Sequence, residues 1–338
     1  MELDFLTIES ITSGAVRVTK ENDGYHFYRF TPEQEALYAQ IKPEHNIKVL
    51  CTSGVKMMFR TNTKKIQFDV LTVRGTGRSY FSFDVYVNGQ LYDTLDNFRG
   101  KPIPREYTTA EFPLGEYKKE FEFPEGDKEI TIYFPWSACA ILQKFSVDDG
   151  AYVIPVKNTR KLLCFGDSIT QGYDAFYPSQ KYTTAIAAAL DAEEINKAIG
   201  GDRFFPELVA TKDSFEPDII TVAYGTNDWR HSSKEMLAAD SKAFYKNLRQ
   251  TYPNAQIFAL TPIWRKTSDQ TMEAGTFFEV ADMICDAAGA LENVTVISCF
   301  DFVPHEAKYF ADETLHPNDR GFSEYFKALL PQIKKDLQ

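Results

Sequence analysis

Four short motifs in the second half of the chain carry side chains that together could perform acyl transfer. They are Gly166-Asp167-Ser168, Gly200-Gly201-Asp202, Gly225-Thr226-Asn227-Asp228 and Leu315-His316-Pro317-Asn318. A serine can supply the nucleophile and a histidine its general base, while a glycine N–H and an asparagine amide can donate hydrogen bonds to an oxyanion. These residue types therefore predict a site that attacks a carbonyl carbon and passes through an acyl intermediate.

Each motif also has an ordinary structural interpretation when it is taken alone. Ser168 could cap a helix, Gly201 could make a turn and Asn227 could bond its own backbone. Asp228 is interpreted as a structural hydrogen-bonding residue, and Gly201 is preferred to Gly200 as the N–H donor. The four motifs together favour an oxyanion site formed by the N–H groups of Ser168 and Gly201 and by the Asn227 amide.

The general base is assigned to His316 because no other histidine lies in a comparable motif. His231 follows closely after Asn227 and is the one rival that we retain. The three other histidines are His26, His45 and His305.

Alternating strand and helix patterns after residue 160 predict the elements that position these motifs. The candidate strands are 161–165, 193–197, 218–224, 255–260 and 293–299. Such alternation predicts a five-stranded parallel sheet of flavodoxin-like order 2-1-3-4-5, with helices on both faces. Ser168 follows the first strand and Asn227 the third, so both lie at the switch point of the sheet. Apolar residues at helical spacing from Phe322 to Ile333 predict a closing helix.

The first half of the chain has a different pattern, with short segments of alternating polarity. These segments include 65–71, 80–87 and 128–134, and Asn88-Gly89 between two of the runs predicts a tight hairpin. The pattern is typical of an antiparallel β-sandwich or jelly roll. Pro155 and the polar run after it divide the chain into a β domain at 1–155 and an α/β domain at 156–338.

Composition limits the partners that the protein would take. The net charge of −11 argues against nucleic acid or an anionic membrane as the main partner. No apolar stretch is long enough to span a bilayer, and the start lacks the pattern of a signal peptide, so we expect a cytoplasmic protein. The five cysteines are scattered and odd in number, which favours reduced thiols. No metal-ligand spacing is present, and we expect neither a metal nor a cofactor.

The four motifs resemble those of the SGNH, or GDSL-type, hydrolase family. The hallmark residues of that family would fall on Ser168, Gly201, Asn227 and His316, and the resemblance covers roughly residues 160–338. It implies an ester hydrolase whose serine is acylated and then freed by water.

With its β-rich first half, the chain is similar to two-domain carbohydrate esterases of the acetylxylan-esterase type. In those enzymes a jelly-roll domain precedes the hydrolase domain, and acetyl groups are removed from plant polysaccharides. The resemblance implies a small-molecule or oligosaccharide ester as substrate and is compatible with a homo-oligomer. The alternatives are a broad short-chain esterase, lipase or thioesterase, and a non-catalytic sugar-binding protein.

The sequence does not decide which acidic residue would orient His316. The family usually places an aspartate three residues before its histidine, where this chain has Glu313, and Asp312 lies four before. We lean to Asp312, and a third alternative is a backbone carbonyl in place of either acid.

Three aromatic residues near the motifs are predicted to line the cleft and to contact substrate. They are Trp229, Trp264 and Tyr173. In the first half, Arg74, Arg78 and Tyr80 lie near a glycine-rich turn and could reach the cleft, although a surface loop is the preferred interpretation.

Overall fold

Two antiparallel sheets form most of the first half of the protein, which a computed structural model describes at residues 1–99 and 106–337. The strands are β1 Thr12–Ser13, β2 Arg17–Glu21, β3 Gly24–Tyr28, β4 Lys56–Thr61, β5 Lys65–Arg74, β6 Ser82–Val87, β7 Gln90–Asp96, β8 Gly115–Glu122, β9 Lys128–Tyr133, β10 Ala138–Val147 and β11 Ile154–Pro155. The helices are α1 Phe5–Ile11 and α2 Pro32–Ile41. One sheet has the order β2-β3-β10-β5-β8 and the other β1-β4-β9-β6-β7, with β11 beside β4. The chain passes repeatedly between the two sheets, and the antiparallel pairing that the sequence predicts for this half is confirmed.

Phenylalanine side chains fill the space between these two sheets. Phe68 on β5 is fully buried, and its ring lies at 5.3 to 6.3 Å, centroid to centroid, from the rings of Phe83, Phe121, Phe134 and Phe145. Edge-to-face contacts of this kind stabilise a core beyond the area that they bury. The alternating pattern of the first half thus produces a sandwich with an aromatic centre.

The hairpin predicted at Asn88-Gly89 is confirmed. It joins β6 to β7, and both residues have positive φ, 50° and 79°. A type I′ turn requires positive φ at both central positions, which asparagine and glycine tolerate best.

A single parallel sheet organises the second half. Its strands and a short ribbon are β12 Arg160–Gly166, β13 Ala192–Asn196, β14 Ile219–Ala223, β15 Gln256–Leu260, β16 Thr271–Met272, β17 Gly275–Thr276 and β18 Val294–Ile297. The sheet order is β13-β12-β14-β15-β18, and β16 pairs with β17 alone. Counted along the chain, the sheet strands follow the order 2-1-3-4-5, so the predicted flavodoxin-like arrangement is confirmed.

Helices cover both faces of this sheet. They are α3 Ser168–Gln171, α4 Tyr182–Ala189, α5 Pro206–Ala210, α6 Asp228–His231, α7 Lys234–Thr251, α8 Phe277–Gly289 and α9 Asp319–Asp336. Helices α5, α7 and α8 pack on one face, and α4 and α9 pack on the other. The closing helix α9 buries Phe322, Tyr325, Leu329 and Ile333, as its spacing predicts. Within the described residues, no helix combines the length and the apolar character needed to cross a bilayer.

The two halves of the chain share their apolar cores. Phe30 and Tyr38 belong to the same buried cluster as α7, while Tyr80 and Trp136 belong to the cluster of α9. The domain division at residue 155 therefore stays a prediction, although pairing changes from antiparallel to parallel between β11 and β12. All five cysteines are unpaired, and three of them are buried.

Candidate active site

Ser168 and His316 meet at the carboxyl edge of the parallel sheet. Strand β12 ends at Gly166, and Ser168 begins α3, whose first turn is capped by a hydrogen bond from the Ile169 N–H to Asp167 at 2.9 Å. A side chain at Gly166 would overlap that of Thr170, so the tight strand-to-helix turn requires glycine. His316 lies in the loop before α9, and its Nε2 is 2.9 Å from the Ser168 Oγ. The hydroxyl proton therefore has an acceptor in place.

Asp312 occupies the other side of the imidazole. Its Oδ2 lies 2.8 Å from His316 Nδ1, while its Oδ1 accepts the N–H groups of Thr314, Leu315 and His316 at 2.9, 2.7 and 3.1 Å. Burial raises the pKa of Asp312, but the hydrogen bonds from His316 and the backbone outweigh it and hold the pKa below its usual value. Glu313, at the family's usual spacing, has a φ of 59° and lines a neighbouring pocket. The structure thus presents Asp312 to the imidazole.

The loop after β13 presents the candidate glycine donor. The Gly200 N–H donates to Gln171 Oε1 at 2.7 Å and is therefore occupied. Gly201 follows with a φ of 87°, a conformation that favours glycine. Among the residues that the structure describes, its N–H meets no protein acceptor within hydrogen-bonding distance. This occupancy favours Gly201 over Gly200 as an oxyanion donor.

Asn227 precedes α6 beyond the end of β14. One N–H of its amide donates to the Asp202 carbonyl at 3.0 Å, which fixes the plane of the amide and leaves its second N–H available. Asp228 is buried and accepts the N–H groups of Phe204 and Gly225 at 3.2 and 3.1 Å, as a structural residue would. Burial raises the pKa of Asp228 to about 7.

Arg29 from the first half of the chain supports the loop that carries Gly201. Its guanidinium is fully buried and donates to the carbonyls of Cys51, Asn196, Ala198 and Lys48 at 2.6, 2.6, 3.0 and 3.0 Å. Burial lowers its pKa, but the fork of donors satisfies four buried carbonyls at once. The first half is therefore part of the scaffold of the site.

We expect Arg29→Met to reduce the free energy of unfolding by about 3 kcal/mol or more, because it leaves several buried carbonyls without a donor. Urea denaturation would measure the loss. Arg60→Met is the matched control, because Arg60 is mostly exposed and pairs with Glu129 at the surface. Equal stability of the two variants would contradict this role of Arg29.

Three further contacts from the first half reach the same loop. Lys48 Nζ donates to the Gly200 carbonyl at 2.6 Å. The buried Asp202 carboxylate accepts the Tyr38 hydroxyl at 2.8 Å and Lys42 Nζ at 2.5 Å. The position of the candidate oxyanion donor thus depends on residues that lie over 150 positions earlier in the chain.

The prediction that Trp229 lines the cleft is wrong. Trp229 is fully buried, its ring packs against Phe277 with centroids 4.9 Å apart, and its indole N–H donates to the Gly275 carbonyl. Helix α6 turns this position inward, away from the exposed Arg230 that follows. A tryptophan that faces the core cannot stack on a substrate.

The other two predicted substrate aromatics have different surroundings. Tyr173 is only 7% exposed and stacks on the His316 imidazole with ring centroids 5.6 Å apart, so it supports the base and offers little surface to a ligand. Trp264 is half-buried and stacks on His305 at 5.0 Å. Of the three, Trp264 is the most exposed to solvent.

The preferred interpretation of Arg78 and Tyr80 as surface-loop residues is also wrong, and the alternative that they reach the cleft agrees with the structure. Arg78 Nε and Nη2 donate to Asp174 at 2.6 and 2.9 Å, and the Tyr80 hydroxyl donates to the same carboxylate at 3.1 Å. Asp174 Oδ2 lies 3.5 Å from His316 Nδ1. Sequence reasoning missed Asp174, whose only signal is its place six residues after Ser168. Arg74 does lie at the surface, where it pairs with Glu111.

The rival base His231 is exposed at the end of α6, while His316 contacts Ser168. Nearby arginines and burial lower the pKa of His231, with burial the larger cause. Its position gives it no contact with the hydroxyl among the described residues. The structure therefore favours His316.

One group of possible metal ligands coincides with this site. The ligand atoms of Asp174, Asp312 and His316 lie within 4.8 Å of one another. However, His316 Nδ1 is hydrogen-bonded to Asp312, and both oxygens of Asp174 face Arg78. A cation would have to compete with a guanidinium, so the group is poorly suited to bind a metal.

The fold and the series of carboxylate, imidazole and hydroxyl define a class of enzyme, the carboxylic ester hydrolases. The model of the GDSL-like Lipase/Acylhydrolase family matches residues 164–323, a span that includes all four motifs. Residues 164–323 of this chain therefore match that family, as the motifs predict. A comparison with curated proteins finds no match.

Solved structures share the fold across both halves of the chain. The salicylyl-acyltransferase SsfX3 from a tetracycline biosynthetic pathway is 17% identical with a TM-score of 0.78, and the match covers 96% of this chain and 94% of that one. A protein from Bacteroides ovatus described as a GDSL-like lipase is 18% identical with a TM-score of 0.76, over 98% and 96%. A family two carbohydrate esterase from Cellvibrio japonicus is 16% identical with a TM-score of 0.67, over 98% and 96%. At these identities the likeness establishes the fold alone.

Proposed function

We propose that this protein is a serine esterase that removes short acyl groups, acetyl foremost, from carbohydrate. The observation that carries the proposal is the continuous hydrogen-bonded series from Asp312 through His316 to Ser168, with distances of 2.8 and 2.9 Å. Such a series activates a hydroxyl that is otherwise a weak nucleophile.

The geometry supports a two-step reaction. His316 Nε2 takes the proton of the Ser168 hydroxyl as its Oγ attacks the ester carbonyl, and Asp312 stabilises the imidazolium that forms. The N–H groups of Ser168 and Gly201 and the Asn227 amide hold the oxyanion. The proton passes from His316 to the departing alcohol, which leaves an acyl-serine. Water then attacks this acyl-serine by the same route, which releases the free carboxylic acid and regenerates the Ser168 hydroxyl.

The solved structures that share the fold support the carbohydrate part of the proposal. Family two carbohydrate esterases resemble the chain across both halves, and one from Clostridium thermocellum is described in complex with cellohexaose. An acetyl xylan esterase from Butyrivibrio proteoclasticus shares the fold as well. The half-buried Trp264 could offer one apolar face to a sugar ring.

Acetate release from acetylated xylo- and manno-oligosaccharides tests the proposal, beside p-nitrophenyl acetate, butyrate and octanoate. We expect Ser168-dependent release from the oligosaccharides and a sharp fall in rate from acetate to longer esters. Cleavage of the synthetic esters alone, extending to octanoate, would identify a broad esterase without sugar preference. Binding of the oligosaccharides with no hydrolysis of any ester would support a non-catalytic sugar-binding protein.

The Asn227 amide provides a quantitative test of the oxyanion site. We expect Asn227→Ala to lower kcat by about 10²–10³-fold with little change in KM, because one donor is lost where charge develops. Asn158→Ala is the control, since the Asn158 amide binds Asp191 on a part of the fold away from β14. A rise in KM with unchanged kcat would show that the Asn227 amide binds the substrate in its ground state and not the oxyanion.

A further inference from the structure

A second buried carboxylate faces the catalytic imidazole. Asp174 Oδ2 lies 3.5 Å from His316 Nδ1, on the same nitrogen that hydrogen-bonds Asp312 at 2.8 Å. Asp174 is fully buried and has a φ of 72° in the turn that follows α3. A strained, buried anion at this position must be held by its surroundings.

The surroundings that hold Asp174 come from the first half of the chain. Arg78 forms a bidentate pair with both carboxylate oxygens, and Tyr80 donates a third hydrogen bond. Burial lowers the pKa of Arg78, yet the hydrogen bonds and the charge of Asp174 outweigh it and raise the pKa above its ordinary value. The guanidinium also lies over the Tyr173 ring at 5.5 Å, and Tyr173 stacks on His316. Arg78 is therefore joined to the imidazole by two routes.

The charged groups around His316 come from several elements. Asp312 lies on its own loop, Asp174 follows α3, and Asp167 ends the turn after β12, where burial raises its pKa to about 6. Two cations partly neutralise these carboxylates. Arg78 forms an ion pair with Asp174, and the buried Arg265 interacts electrostatically with Asp167 and Asp312. The neutral Tyr173 covers the ring face.

We propose that Asp174 is a positioning residue for His316, and that Arg78 sets how much of the Asp174 charge the imidazole experiences. The first half of the chain would then tune the base as well as support the oxyanion loop. This inference rests on the proposed esterase function, in which neutral His316 is the base.

The acid limb of the kcat/KM profile tests this inference. Asp174→Asn removes an anion 3.5 Å from Nδ1 and leaves the Arg78 cation, so the protonated imidazole is destabilised. We expect the limb to move by about 1 pH unit to lower pH. Asparagine tolerates positive φ, so the backbone of the turn is preserved. Adding Arg78→Gln removes the remaining cation, and the limb of this double variant should return toward that of the wild type.

Two controls separate charge from structure. Tyr80→Phe removes a hydrogen bond to Asp174 without changing any charge, and Arg74→Gln removes an arginine of the same segment that pairs with Glu111. Both should leave the acid limb in place. A merely structural Asp174 would lose activity without moving the limb, and the double variant would then be no closer to wild type than the single one. Either result would overturn the proposal.

Arg78→Gln alone provides a second route if Asp174→Asn does not fold. It leaves Asp174 facing the imidazole without its counterion, so we expect the acid limb to move to higher pH. An unmoved limb would contradict the role of Arg78. Serine-independent hydrolysis in Ser168→Ala would instead defeat the proposed function, which keeps the two failures distinct.

Discussion

Ser168→Ala is expected to lower kcat for short-chain esters by about 10⁴–10⁶-fold, the range typical when a serine hydrolase loses its nucleophile. The Ser168 Oγ is the one hydroxyl found 2.9 Å from His316 Nε2 in the described part of the chain, and alanine leaves that imidazole with nothing to deprotonate. Residual turnover would come from the oxyanion donors acting on water. Initial rates with p-nitrophenyl acetate would measure the loss.

A matched serine shows whether the loss is specific. Ser179 lies in a 3₁₀ turn and accepts a hydrogen bond from the Tyr86 hydroxyl, so Ser179→Ala removes a hydrogen-bonded, partly buried hydroxyl without touching the base. Ser179→Ala should retain near wild-type kcat, and both variants should unfold at similar temperatures. Activity of Ser168→Ala comparable to wild type would place the nucleophile elsewhere.

Asp312→Asn is expected to lower kcat by up to about 10⁴-fold, the loss seen when an amide replaces the acid of a catalytic triad. An amide nitrogen at Oδ2 would oppose the Nδ1 proton of His316, and the wrong tautomer of the imidazole would be favoured. Because hydrogen bonds hold the Asp312 pKa below its usual value, the carboxylate stays ionised through the neutral range. Steady-state kinetics near neutral pH would measure the effect.

Glu313→Gln is the matched control for this prediction, since it makes the same chemical change one residue later. We expect its kcat to stay within a few-fold of wild type. The opposite pattern would assign the acid to Glu313, and two unaffected variants would leave the orientation of His316 to a backbone carbonyl.

The architecture of the second half could be predicted because its signals are local. Short runs rich in apolar residues mark most of the strands, glycine follows closely on two of them at Gly166 and Gly225, and the handedness of βαβ units then restricts the order of the sheet. Ser168 and Asn227 follow adjacent strands, so their approach is a consequence of that order. His316 followed from its motif, which precedes the predicted helix.

The contacts between the halves could not be predicted in this way. Arg78 and Asp174 are 96 positions apart, and no periodicity links two polar residues in separate turns. The prediction that Trp229 lines the cleft failed for a different reason. Trp229 lies two residues after Asn227 in helix α6, which turns its side chain toward the core. Distance along the chain from a catalytic residue says little about which way a side chain points.

The hydrogen bonds of the Arg29 guanidinium also determine when the site can form during protein synthesis. It is separated by 169 positions from Ala198, one of the carbonyls that it binds. At about 5–20 residues per second, a ribosome needs roughly 10–30 s to make the intervening chain. During that interval Arg29 remains hydrated and the loop of Gly201 does not yet exist. Hydrolytic competence therefore arises late in biosynthesis, and an interrupted chain would yield an inert product.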